Sequence, residues 1–390
     1  MFYTAPAYAQ RPFITTWTVD EGSLQLVVPT HRQVETRYDF TVDWGDGVVE
    51  HYSGIDPDPT HTYAQSGTYT VTVSGTFLGI HFQRAPNWLR RHLIDINQWG
   101  DMRWENMAGA FYGASELRTL SATDTPDLSR VTDMSFMFAR ASRFNHPIGD
   151  WDVSSVVDMS SMFDAAGSFN QPLDSWDVSN VTGMEHMFRS ALSFNQPLAN
   201  WNVAQVTTME AMFDRAEVFN QPLSGWNVGR VTDMGYMFSG AQRFNQALAS
   251  WDVHAVLDME SMFSGAAAFN QPLAAWNVGA VTTMLNMFSG AVAFNQPLAA
   301  WNVSNVARFD HFLTGTQLDG DYYDDLLIAW ANLPLQPAVP HVSCRPSHLQ
   351  RGRSFGAPVH PRSFWVEAPR RWDEHLRFAR GVRDGLAHMA

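Results

Sequence analysis

Residues 151–175 read WDVSSVVDMSSMFDAAGSFNQPLDS, and at Trp176 the same sentence begins again. Tryptophan returns at Trp151, Trp176, Trp201, Trp226, Trp251, Trp276 and Trp301, always 25 residues apart. Met134, Met159, Met184, Met209, Met234, Met259 and Met284 keep the same register, with no insertion between copies. A fixed period of this length marks one supersecondary unit stacked on its copies, none of which buries its apolar face alone. It predicts a solenoid of 25-residue coils over residues 131–306. Within a coil, Trp176–Ser179 and Val181–Met184 read as short strands with alternate residues inward. Met187, Phe188 and Ala191 carry the spacing of a short helical turn. Pro197 fixes a corner after Phe194–Gln196.

Outward from the repeats the text degrades. Residues 79–130 hold fragments such as LIDINQWG (93–100) and NMAGAF (106–111), read as an N-terminal cap and one divergent coil. Residues 307–336 close the array, with Phe309 where methionine is due. DGDYYDDLLIAWANL (319–333) has an acidic start and helical apolar spacing, which predicts a capping helix facing the array with Leu326, Leu327, Trp330 and Leu333. Residues 11–78 read as all-β: RPFITTWTV, LQLVV, YDFTVDW and GTYTVTVSG alternate branched or aromatic residues with polar ones.

Composition narrows the function. Apolar residues make up 45% of the 390, so the chain is not a disordered one. The net charge is −14, and all 25 basic residues are arginine. An acidic body argues against nucleic-acid or anionic-membrane binding, which need clustered positive charge. Cys344 stands alone, so no intrachain disulfide can form. No run of about 18 apolar residues exists to span a membrane. Residues 1–10, MFYTAPAYAQ, end like a secretory signal but lack its charged and apolar regions; they are either a remnant of one or a chance match. Residues 337–390 carry nine Arg against four acids, a formal +5 that leaves −19 for the remainder. This basic tail is either a native anchor or a frameshifted end.

Two resemblances follow. VDWGDG (42–47) with HTYAQSGTYTVTVSG (61–75) resembles the PKD (polycystic kidney disease) domain, which implies an immunoglobulin-like β-sandwich over residues 11–78. The coil FNQPLxxWDVSxVTxMxxMFxxA is similar to BspA-like leucine-rich-repeat surface proteins, including the 25-residue repeats of mycoplasma lipoproteins. That resemblance spans about 11–335. It implies a mainly β fold, the sandwich followed by a right-handed leucine-rich-repeat-like solenoid with short helical turns. It further implies an extracellular or bacterial cell-surface location and adhesion or protein binding without catalysis. The chain departs from this pattern in lacking a complete export signal and a recognisable sorting signal.

The repeated columns read as scaffold. Asn145, Asn170, Asn195, Asn220, Asn245, Asn270 and Asn295 suit an amide ladder at the corner, and the Trp and Met columns suit a core. The Asx column (Asp152, Asp177, Asn202, Asn227, Asp252, Asn277, Asn302) suits turn capping better than a row of cations, since half of it is Asn. Asp43 and Asp46 suit the Trp44–Gly47 turn better than a metal. No Gly-x-Ser-x-Gly, His-Glu-x-x-His or P-loop appears, and neither catalytic residues nor a cofactor are expected. Function falls to positions that vary inside the fixed frame. Phe136, His186 and Tyr236, with Glu185, Glu210 and Glu260 beside them, form a candidate partner-binding ridge for an extracellular protein or glycan on a monomeric chain. Two further readings stay open: a carbohydrate-binding or polysaccharide-active secreted protein, and a purely structural spacer.

Overall fold

The Trp17 side chain decides how the amino-terminal part folds. The structure, a computed structural model, describes residues 10–31, 37–54, 58–118 and 120–336. The signal-like start, Cys344 and the basic tail lie outside the described residues. β1 (Phe13–Val19) buries every second residue, Phe13, Thr15, Trp17 and Val19, as its alternating sequence dictates. It lies between β6 (Gly67–Thr76) and β7 (Leu93–Gln98), antiparallel to both. β3 (Tyr38–Asp43) and β4 (Val49–Gly54) complete a five-stranded sheet in the order β4-β3-β6-β1-β7. β2 (Gln25–Val27) and β5 (Thr60–Thr62) pair as a separate ribbon. β7 comes from the stretch read as a cap and degraded coil.

The WGDG turn joins β3 to β4. The Asp43 and Asp46 carboxylates accept the Gly45 and Val48 N–H groups, and Asp46 also meets His61 Nε2 at 2.8 Å. Trp44 is buried beneath it, stacked on His61, and its carbonyl accepts the Tyr63 hydroxyl.

Residues 131–306 contain neither a strand nor a helix, and this corrects the expected fold class. Among the described residues, regular structure consists of the small antiparallel sheets above, two single-turn 3-10 helices and one α-helix, α1 (Gly320–Trp330). The sheet and ribbon do not establish the expected sandwich, and the leucine-rich-repeat-like solenoid of strands and helical turns is not formed. Each 25-residue unit touches the next through a single parallel bridge, such as Thr208 to Asp233, and otherwise through turns.

The cause is backbone conformation. In the unit after Met209, Ala211 has φ +50° and Arg215 φ +56°, and the same two positions are left-handed in every unit. A left-handed residue every fourth position breaks strand and helix alike. Between these residues the N–H groups alternate in direction. Met209, Ala211, Phe213 and Arg215 donate to carbonyls of the following unit (Asp233, Gly235, Met237 and Ser239). Met212, Asp214 and Ala216 donate three residues back within their own turn. Every polar backbone group along the turn thereby finds a partner without a ladder.

The side chains stack as columns. Phe213 lies 4.1 Å from Phe219 in its own unit and 5.7 Å from Phe238 in the next, all nearly parallel. From Trp176 to Trp301 each indole donates its Nε1–H to the preceding unit, as Trp226 does to the Leu198 carbonyl at 2.9 Å. At the corner, the Asn195 Oδ1 accepts the Asn220 N–H and the Gln221 amide, and this linkage repeats from Asn145 to Asn295. It ends on α1: the Asn295 Oδ1 accepts the N–H of Asp319, whose own carboxylate caps the helix at Asp321. Leu326 and Trp330 are buried, with Trp330 against Phe309 and Phe312, while Leu327 and Leu333 pack on the same core with part of their surface exposed.

At the other end the array meets the sheet beside two histidines, His81 buried and His31 partly so. His31 and His81 touch edge to face at 4.8 Å, and His81 Nδ1 reaches the Ala108 carbonyl. Burial, with His81 alongside, pushes the His31 imidazole down to about 4. No helix among the described residues is long and apolar enough to cross a membrane.

Candidate partner-binding ridge

The residue two places after each Met column sits in the first left-handed position of its unit. Phe136 (φ +57°), Ser161, His186 (φ +59°), Ala211, Tyr236 (φ +58°), Ser261, Asn286 and His311 occupy it in turn. Glycine is the residue for which this conformation costs nothing; a β-carbon costs roughly 1 kcal/mol or more there. In the second left-handed column glycine does take over, at Gly240, Gly265, Gly290 and Gly315. In the first, glycine stands only at Gly109 among the described residues, and side chains from Ala211 up to Phe136 and Tyr236 in size stand on strained backbone.

The ridge that results is half-buried. Phe136, Glu185, His186, Glu210 and Glu260 are partly covered, and Tyr236 is 38% exposed. The structure brings five of the six together in consecutive units. Phe136 stands two units before His186, with Ser161 between them. The Tyr236 hydroxyl donates to Glu260 Oε1 at 2.6 Å, and Arg308, two units on, reaches Glu260 Oε2 at 3.3 Å. Glu185 Oε2 is buried without a hydrogen-bond partner, close against Gly183, where an added β-carbon would stand 3.3 Å from it.

Asp233 and Asp258 belong to the same patch and were missed in the sequence. They lie one place before the Met column, where the chain also varies: Asp133, Asp158, Gly183, Thr208, Asp233, Asp258, Thr283, Arg308. That variation was the available signal. Burial raises the Glu210 carboxyl, Asp233 adds to it, and His186 partly opposes. Burial likewise raises Asp258, with Asp233 and Glu260 adding repulsion. Nearby, Asp164 is buried and held by both arms of Arg189, at 2.8 and 2.7 Å.

These shifts fix a pH dependence. A carboxyl with a raised pKa binds its proton more tightly in the folded chain, so it destabilises the fold as pH rises through the folded value. Glu210→Gln and Asp258→Asn should therefore raise stability at pH 7. The gain should vanish below the ordinary values, 4.5 for Glu and 3.8 for Asp, where the unfolded carboxyls are protonated too. Urea melts of wild type and variants from pH 3 to pH 8 read this directly, and a gain independent of pH would contradict the burial of these charges.

The scaffold columns lie elsewhere. The seven repeat tryptophans are at most 6% exposed, and Asn170, Asn195, Asn220, Asn270 and Asn295 serve the corner linkage. The Asx column accepts N–H groups two residues on, as Asp152 does from Ser154 and Asn202 from Ala204. Among the described residues no group of three His, Cys, Asp or Glu is arranged to hold a metal.

A family model described as "Mycoplasma protein of unknown function, DUF285" matches residues 105–226 and 216–321. The two stretches overlap and together cover 105–321, more than half of the 390 residues. The chain belongs to this DUF285 family. Both matched stretches fall on the array and contain the whole ridge, whereas the β1–β7 region precedes them. No curated protein and no solved structure matches the chain.

Proposed function

We propose that this chain is a non-enzymatic binding protein of the bacterial surface or extracellular space, and that the ridge from Phe136 to Glu260 is its contact surface for an extracellular protein or glycan. One observation carries the reading. Side chains as large as Phe136, His186 and Tyr236 occupy left-handed backbone that glycine would relieve, and each keeps part of its surface open to solvent. Backbone strain of this kind clusters at sites of function. The half-buried carboxylates Glu210 and Asp258 repeat the pattern, since both are held at an electrostatic disadvantage. The likeness of the repeat text to BspA-like surface proteins supports the same class and location. A complementary partner brings cationic groups to Glu185, Glu210 and Glu260, and a flat apolar or hydrogen-bonding face to Tyr236.

The test is an array of glycans and extracellular-matrix proteins probed with the whole chain, followed by affinity measurement on whatever is retained. The combined variant Phe136→Ala, Glu185→Gln, Glu210→Gln, Tyr236→Ala should weaken that binding about a hundredfold, since hot-spot truncations cost roughly 1 kcal/mol or more each. Its melting temperature should not fall. Full retention of affinity would remove the ridge from consideration.

A further inference from the structure

A cavity of about 280 Å³ opens where the sheet meets the first repeat unit, away from the ridge. Three of its lining residues are Arg37, Arg103 and Arg130, against one acid, Glu105. Glu105 holds Arg130 at 3.1 Å. Arg37 and Arg103 pair with no carboxylate among the described residues. The floor is Phe77, buried from solvent, with Thr76 beside it in the same wall. Asp127 lies near Arg103 and Arg130, but its carboxylate is engaged first by Ser129 and does not line the space.

The arrangement is unusual for this chain. Elsewhere among the described residues some arginines pair with carboxylates, as at Arg11, Arg143 and Arg189, and others such as Arg84, Arg215 and Arg243 do not, but none of these lines a shared cavity with two further arginines. Here three arginines and one glutamate line a single concave space, and neither Arg37 nor Arg103 is ion-paired to a carboxylate among the described residues. A guanidinium presents a planar fork of donors that matches the paired oxygens of a carboxylate, sulfate or phosphate. The volume admits one such group with a body no larger than a single sugar ring.

We infer that this junction cavity is an oxyanion-binding site, gripping a carboxylate, sulfate ester or phosphate ester through Arg37 and Arg103, with Arg130 and Glu105 closing one side. The site is independent of the ridge, so either can fail without the other. Because its walls come from both the sheet and the first unit, an occupant would also tie the two together.

Calorimetric titration of the full chain with glucuronate, glucose 6-sulfate, glucose 6-phosphate, inorganic phosphate and neutral glucose tests it. The anionic sugars should bind, glucose should not, and the affinity should fall with added salt. Comparable binding of inorganic phosphate would assign the site to a free oxyanion; preference for an esterified sugar would assign it to a sugar-borne one. Both results support the inference. Arg37→Gln with Arg103→Gln should weaken binding about a hundredfold, as two charge-assisted bonds are lost. Arg143→Gln, an exposed arginine outside the cavity, should leave binding unchanged. The inference is overturned if none of the anions binds more tightly than glucose, or if the double variant, with an unaltered melting curve, binds as well as wild type.

Discussion

Trp226→Ala should lower the stability of the array by about 3–5 kcal/mol, the range for deleting a large buried aromatic side chain. The indole is 3% exposed. It lies between Trp201 and Trp251 at 6.4 and 6.5 Å, with Phe213 tilted against it at 6.4 Å. Its Nε1–H also donates to the Leu198 carbonyl, and alanine would remove that inter-unit bond and leave the carbonyl only the Trp201 N–H. The space cannot close by local movement. The turns on both sides are held at fixed separation by inter-unit hydrogen bonds, such as Phe213 N–H to the Met237 carbonyl. Leu257→Ala, at a side chain that is 49% exposed in the same part of the array, should cost less than about 0.5 kcal/mol. Urea unfolding followed by hydrogen exchange would compare the two. A loss below about 1 kcal/mol for Trp226→Ala would mean the tryptophan column is not what holds units together.

Gly100→Ala should cost more than about 3 kcal/mol, combining left-handed strain with a backbone collision. Gly100 has φ +69° and donates its N–H to Asp124 Oδ2. A β-carbon there would stand 2.3 Å from the Pro12 carbonyl oxygen and 2.4 Å from that of Arg11. Neither oxygen is free to retreat. The Arg11 carbonyl accepts the Asp101 N–H, and Arg11 returns its own N–H and guanidinium to the Asp101 carboxylate. Gly47→Ala is the control. Gly47 has φ +94°, but nothing lies within 4 Å of the added carbon. It should show the conformational cost alone, about 1–2 kcal/mol. Equal losses in the two variants would show that the close approach of the chain at Gly100 carries no energy of its own.

How much of this could be read in the sequence varies from column to column. The period located the large apolar buried residues of the array, because burial in a stack of equal units repeats with the unit, whereas Asp164 and Thr283 are buried in single units only. Trp226, Met209, Phe213 and Asn220 are fixed in type by surroundings that recur every 25 residues. The backbone path between them was not legible. Trp176–Ser179 and Val181–Met184 looked like strand text, yet the Asp177 carboxylate takes the Ser179 N–H and a turn closes from Val181 to Val178. Met187, Phe188 and Ala191 have helical spacing, but His186 and Ser190 are left-handed. Glycine usually announces such positions, and in the first left-handed column it stands only at Gly109. In the amino-terminal region, the alternation of β1, β3 and β6 was plain. β7 was obscured because its buried residues, Leu93 and Ile96, are three apart rather than two. The ridge was found through variability, and Asp233 and Asp258 escaped because the column before methionine was taken as part of the strand.

The alternating hydrogen bonds of the turns have an electrical consequence. From Met107 to Gly290, four N–H groups in each unit's turn point toward the carboxyl-terminal neighbour, and the carbonyls that receive them point back. Fewer bonds, such as Thr207 N–H to the Thr182 carbonyl, run the other way. Peptide dipoles aligned in this manner add along the stack as they do along a helix, but with the opposite sense relative to chain direction. The partial positive pole therefore falls at the carboxyl-terminal end. Asp310 and the acidic run Asp319, Asp321, Asp324 and Asp325 follow there in the sequence. The array behaves as a macrodipole whose favourable end for anions is already supplied with its own carboxylates.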